Sequence, residues 1–260
     1  MKKPEASLIL SLLDYTTLQG TDTHPTVEQH IRILRRLAET HPDLPLPKAV
    51  CVFPVFVPYV REGLKGLPVK IATVAGDFPL GQLPAALKLE QVRYAVDQGA
   101  DEVDFVASRR LILEGRNELF LEEIQQARDM CRHRTLKVIL ETGELKDVVL
   151  IKRAANLAIR AGADFLKTST GRAQIHATPE SVKALSEVVR DHFLATGRKV
   201  GLKPSGGIRT LADAQNLVAI VRDTCGRDWL QPDLLRLGAS ALLKALLPEH
   251  SPLHSGTETY

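Results

Sequence analysis

Eight short apolar runs recur along the 260-residue chain, each followed by a segment with helical spacing. The runs lie at 12–16, 48–53, 69–74, 100–106, 136–141, 164–171, 200–204 and 234–238. Helical patterns fill 26–40, 84–98, 117–133, 146–161, 178–195, a stretch from about 210, and 240–247. Thr26 reads as the cap of the first of these, and Thr178-Pro179-Glu180 as a strong helix start. Residues 55–65 read as a short helix or turn, and 5–13 as a short helix before the first strand. Strands that alternate with helices pair in parallel, because a parallel pair needs a crossover. Eight such units in roughly 250 residues is the size of a (β/α)₈ TIM barrel. The open doubly wound sheet is the alternative, and its glycine-rich first turn is missing. The expectation is a single α/β domain over 1–247, with a polar, flexible C-terminal tail over 248–260.

Charges inside these runs are the second constraint. Side chains alternate between the two faces of a strand. Val103 and Phe105 suit the helix side, which leaves Glu102 and Asp104 facing the axis. Leu136, Val138 and Leu140 leave Lys137, Ile139 and Glu141 inward. Leu166 leaves Lys167, and Val200 with Leu202 leaves Lys203. Asp14, at the end of the first run, is placed to join them. Removing each ion from water costs several kcal/mol, roughly the scale known for buried charges. Such a cluster near strand ends therefore reads as an active site, since barrel chemistry sits at the C-terminal face.

Composition excludes several other classes. The net charge is +3 and aromatic residues are scarce, so nothing marks a nucleic-acid surface. No run approaches a membrane span. Cys51, Cys131 and Cys225 are odd in number and far apart, which points to a reducing, cytoplasmic setting without disulfides. The histidines and cysteines show no metal-ligand spacing, and no Walker loop or Gly-x-Gly-x-x-Gly is present, so neither metal nor cofactor is expected.

A lysine beside other cations has a lowered pKa and a larger share of free amine at neutral pH. Free amine attacks carbonyls to form a Schiff base. The iminium acidifies the neighbouring carbon, and a nearby base then gives an enamine. Spacing alone leaves open whether Lys137, Lys167 or Lys203 is the nucleophile. Glycines after the last three runs suggest a phosphorylated substrate: Thr170-Gly171-Arg172, Ser205-Gly206-Gly207-Ile208-Arg209 and Gly238-Ala239-Ser240. Barrels bind phosphate at the seventh and eighth loops through backbone N–H groups and a helix N-terminus.

The segments 140–145, 161–171 and 200–209, with 100–104, closely resemble deoxyribose-phosphate aldolase over nearly the whole chain. The resemblance implies a class I aldolase without metal or cofactor. Its reaction is the reversible cleavage of 2-deoxy-D-ribose 5-phosphate to acetaldehyde and D-glyceraldehyde 3-phosphate, in deoxynucleoside catabolism. It implies Lys167 as the Schiff-base lysine, Lys203 as the lysine that perturbs it, and Asp104 as a proton-transfer residue. Some members end in a tyrosine used near the bound aldehyde, which makes Tyr260 a candidate proton relay. Gly171, Arg172, Gly206, Gly207, Arg209, Gly238 and Ser240 are the expected phosphate site, and Asp14, Thr16, Lys137 and Thr170 are the expected supporting residues of the active site. Three departures stand out. Arg172 replaces a usual lysine, Ala241 a common serine, and Val106-Ala107-Ser108-Arg109 lacks a proline–aromatic pair. Expected partners are phosphosugar and aldehyde substrates and, in a possible homodimer, a second copy of the chain. An isomerase on the same fold, or a catalytically silent binding barrel, are the readings from other classes.

Overall fold

The computed structural model describes residues 3–247; the expected tail, with Tyr260, lies outside the described residues. Eight parallel strands form the barrel: β1 (Leu13–Thr16), β2 (Ala49–Val52), β3 (Lys70–Ala75), β4 (Glu102–Val106), β5 (Thr135–Ile139), β6 (Phe165–Lys167), β7 (Gly201–Lys203) and β8 (Leu237–Ala239). Their order is β7-β6-β5-β4-β3-β2-β1-β8. Parallel bridges Leu202–Leu235 and Ser205–Gly238 join its two ends and close the ring.

The helices are α1 (Lys3–Ser11), α2 (His24–Thr40), α3 (Val57–Gly63), α4 (Ala85–Asp97), α5 (Arg109–Leu113), α6 (Asn117–Cys131), α7 (Thr142–Leu145), α8 (Val148–Arg160), α9 (Pro179–Thr196), α10 (Leu211–Cys225) and α11 (Leu242–Leu246). Three N-termini are closed by reciprocal capping boxes: Thr23 with Thr26, Thr178 with Ser181, and Thr210 with Asp213. Thr26 is thus the third helical residue of α2, and Thr23 is its cap. The stretch read as one helix over 146–161 is α8 alone, because Lys146 takes a positive φ of 61° and Asp147 caps a new start.

Strand faces follow the alternation. Val103, Phe105, Leu136, Val138, Leu166 and Leu202 belong to the large core between strands and helices. Each such side chain, fully buried, contributes about 1.5–3 kcal/mol of transfer free energy. A second, small apolar cluster of Leu18, Ala49, Cys51, Ala72 and Val74 lies apart from that core, on β2, β3 and the loop after β1. Phe165 faces inward, and Gly201 is required opposite it, since a Cβ there would run into the Phe165 ring. β6 is shorter than the apolar run suggests. Beyond Lys167, hydroxyls take over from the ladder: Ser205 N–H donates to Thr168 Oγ1 at 3.0 Å, and Ser169 Oγ donates to Ser205 O at 2.5 Å.

Candidate active site

A chain of ion pairs runs across the barrel axis. Asp104 on β4 is at its centre: Oδ2 accepts from Lys167 on β6 and from Lys203 on β7, each at 2.7 Å. Its Oδ1 accepts from Lys137 on β5 at 2.8 Å. Lys137 Nζ is also 2.6 Å from Glu102 Oε2 and 3.7 Å from Asp14 Oδ2. Lys203 Nζ is 2.5 Å from Asp14 Oδ2, an ionic contact rather than a directed hydrogen bond. Arg236, just before β8, donates to both Glu102 oxygens at 2.7 and 3.0 Å and to Asp14 Oδ1 at 2.6 Å. It also donates to the Pro232 carbonyl and lies over the Phe165 ring. Every one of these charged side chains is buried.

The cluster is unbalanced. Lys137, Lys167, Lys203 and Arg236 face Asp14, Glu102 and Asp104, four cations against three carboxylates, with the more exposed Lys70 approaching Glu102 from the rim. A dry interior disfavours the surplus charge, so one cation is under pressure to lose its proton. Lys167 is the one with the least support, because among the described residues the one carboxylate it meets is shared with two other lysines. Its pKa is lowered, first by burial and then by Lys203, against the opposing pull of Asp104. Lys137 and Lys203 are each held by more than one carboxylate, and both are raised. The carboxylates Asp14, Glu102 and Asp104 are all lowered, because the surrounding cations outweigh their burial. Burial is the largest cause of the Lys167 shift, and the Lys203 charge acts in the same direction.

Beside the cluster a cleft of about 380 Å³ opens over the ends of β6, β7, β8 and β1. Gly171, Arg172, Gly206, Gly207, Arg209, Gly238 and Ser240, the residues expected to bind phosphate, line it together with Thr16 and Thr170. Among the described residues, the N–H groups of Gly171, Gly207, Ile208 and Ser240 pair with no backbone carbonyl. Arg172 spans the rim, donating to Gln19 Oε1 at 3.0 Å and to the Leu18 carbonyl. Arg209, also on the cleft lining, is exposed. Glu141 is not in the axial cluster. It begins α7 in the left-handed region (φ 53°, ψ 59°), and its carboxylate accepts from Thr170. Arg236 went unremarked in the sequence, although alternation around Leu235 and Leu237 places it inward with the other charges.

Fold and site together define a (β/α)₈ barrel with a cluster of buried charged side chains on its axis, in which the Lys167 pKa is lowered, beside a glycine-lined cleft. Residues 8–247 match the sequence model of the DeoC/LacD family aldolases, and the chain belongs to that family. Similar solved structures include a candidate deoxyribose-phosphate aldolase from Coccidioides immitis, 29% identical with a TM-score of 0.78, matched over 94% of this chain and 86% of that one. Another from Toxoplasma gondii ME49 is 25% identical with a TM-score of 0.83, over 94% and 93%. A tetrameric deoxyribose phosphate aldolase from Aeropyrum pernix is 27% identical with a TM-score of 0.71, over 93% and 90%. Among the described residues no helix is long and apolar enough to cross a membrane.

Proposed function

We propose that this aldolase cleaves 2-deoxy-D-ribose 5-phosphate reversibly through a Schiff base on Lys167. The observation that carries the reading is the contrast in contacts among the three axial lysines: Lys167 meets Asp104, which it shares, while Lys137 and Lys203 each reach further carboxylates, in line with a pKa that is lowered for Lys167 and raised for the other two. Lys167 Nζ attacks the C1 aldehyde and, with loss of water, becomes an iminium. A base removes the C3 hydroxyl proton, the C2–C3 bond breaks, and its electrons form the enamine. Glyceraldehyde 3-phosphate leaves with C3 as its aldehyde carbon. Protonation of C2 and hydrolysis release acetaldehyde and regenerate the amine. Asp104 contacts both Lys167 and Lys203 at 2.7 Å, and is the group placed to pass protons between them. The unpaired amides of the cleft, with Arg209 at its edge, hold the 5-phosphate. Tyr260 is assigned to proton transfer at C2, on the resemblance alone. The pathway follows from the substrate: breakdown of deoxynucleosides, in a cytoplasm that keeps the unpaired cysteines reduced. A homo-oligomer is the expected assembly, and the Aeropyrum pernix relative is described as tetrameric.

Borohydride reduction with acetaldehyde tests the chemistry. The expected result is one adduct, on Lys167, and its loss together with turnover in Lys167→Leu. A folded Lys167→Leu variant that still cleaves substrate removes the assignment. Activity without any adduct would favour a carboxylate-driven isomerase or other non-iminium chemistry.

A further inference from the structure

The carboxylate of Glu141 is buried at the rim of the barrel, away from the axial ion pairs, and the aldol chemistry does not use it. Its Oε2 accepts from Thr170 Oγ1 at 2.6 Å and from Thr170 N–H at 3.1 Å. Thr170 Oγ1 in turn accepts from Arg172 N–H at 3.1 Å. Three polar groups thus form a relay, from the Arg172 amide through the Thr170 hydroxyl to the carboxylate. Hydrogen bonds in such a chain strengthen one another, and a charged acceptor strengthens the last. The relay consumes the N–H groups of Thr170 and Arg172 and leaves that of Gly171, between them, without a backbone acceptor.

Glu141 reaches Thr170 because its backbone is left-handed, an unusual state for a residue with a long side chain and one that persists only where the surroundings fix it. The turn carries the chain out of β5 and aims the carboxylate across the end of β6. The same two loops are locked a second way. Thr142 N–H donates to Thr168 O at 2.8 Å, and Gly143 packs so tightly that a Cβ would run into the Ile175 carbonyl.

The geometry points to Glu141 as a positioning residue for the anion cleft: it holds the Thr170-Gly171-Arg172 turn so that the Gly171 amide faces the substrate phosphate. This rests on the phosphosugar reading given above. Glu141 touches no substrate; it acts on affinity for the phosphate through the loop.

Two readouts test it. The first is calorimetric binding of inorganic phosphate to the whole chain, which needs no turnover. The second is the ratio of kcat/KM for deoxyribose 5-phosphate to that for free deoxyribose. Glu141→Ala should weaken phosphate binding about tenfold and lower the ratio about as much, the scale of one charge-assisted hydrogen bond. Glu141→Gln keeps an acceptor for the Thr170 amide and should recover part of the loss. Glu141→Gly relaxes the backbone but removes the carboxylate, so it should behave like Glu141→Ala. Should Glu141→Ala fail to fold, Glu141→Gln and Thr170→Val decide the matter. Both act on the hydrogen bond between Thr170 Oγ1 and the Glu141 carboxylate, one by removing its charge and the other by removing its donor, so the double variant should bind phosphate no worse than the weaker single. Unchanged affinity and ratio in a folded Glu141→Ala, additive losses in the double variant, or no phosphate binding by the wild type would each overturn the assignment. Failure of borohydride trapping would instead sink the aldolase reading and leave the phosphate result standing.

Discussion

On the proposed mechanism Lys203 acts on Lys167 in two ways, and both have the same sign. Its charge repels a proton on Lys167, and it takes a share of Asp104, the carboxylate that Lys167 meets among the described residues. Lys203→Leu removes the repulsion and leaves Asp104 to fewer partners, so the Lys167 pKa should rise. The active species is the free amine, and below its pKa each unit of rise costs about tenfold in that fraction. The pH–rate profile for cleavage should therefore fall at neutral pH and recover on the alkaline side. A Lys203→Leu enzyme with wild-type rate and profile would end that role. Asp14, Asp104, Lys137, Lys167 and Lys203 were legible because strand alternation is a hard geometric rule. Glu141 was misplaced by the same rule, which assumes that the strand continues. β5 ends at Ile139, and a left-handed residue two positions later has no strand face. Nothing in the local sequence marks that turn, since Glu141 is not a residue that favours it.

At the scale of elements, the strand–helix alternation and the glycine loops carried most of the information. The helix starts were readable wherever a hydroxyl residue preceded proline, as at Thr178. Thr26 misled because both partners of its capping box are threonines, and either can be read as the cap. Short α5 and α7 had too few residues to show a period. The cleft is an assembly of loop ends that are far apart in sequence, yet the loops after β6, β7 and β8 announced themselves through glycine; the one after β1, with Leu18 and Gln19, did not. Its chemistry gives a direct test. Arg209→Ala and Ser240→Ala should each raise KM for deoxyribose 5-phosphate several-fold, roughly the effect of one lost phosphate contact. KM for free deoxyribose should change much less. Equal rises for the two substrates would move the phosphate site elsewhere.

For the molecule as a whole, the axial cluster ties catalysis to stability. Asp14, Glu102 and Asp104 have folded-state pKa values below their unfolded ones, because Lys137, Lys203 and Arg236 surround them. A depressed carboxylate stabilises the fold fully above its unfolded pKa, about 4 for Asp and Glu, and loses that contribution as pH falls through the folded value. Lys137, Lys203 and Arg236 are raised, so their contribution is full below their unfolded values and fades only in strong alkali. Lys167, lowered, opposes them: the fold favours its neutral form, so its cost is greatest while the unfolded chain holds the proton and vanishes above the unfolded pKa. Glu141, raised by burial, carries a penalty that is relieved on acidification, against the trend of the other three. Three depressed carboxylates outweigh one raised one, so urea midpoints should drop steeply below about pH 4. Asp104→Asn separates the terms. It removes the carboxylate that three buried lysines share and leaves Lys167 with none among the described residues, and should cost about 3–5 kcal/mol at neutral pH. With the central carboxylate gone, the variant should lose less stability than the wild type between pH 5 and pH 2, titration limits set by the roughly 4-unit carboxylate reference. Urea unfolding of both proteins across that range, followed by far-UV circular dichroism, gives the comparison. Parallel curves would mean that the acid response comes from carboxylates outside the barrel axis.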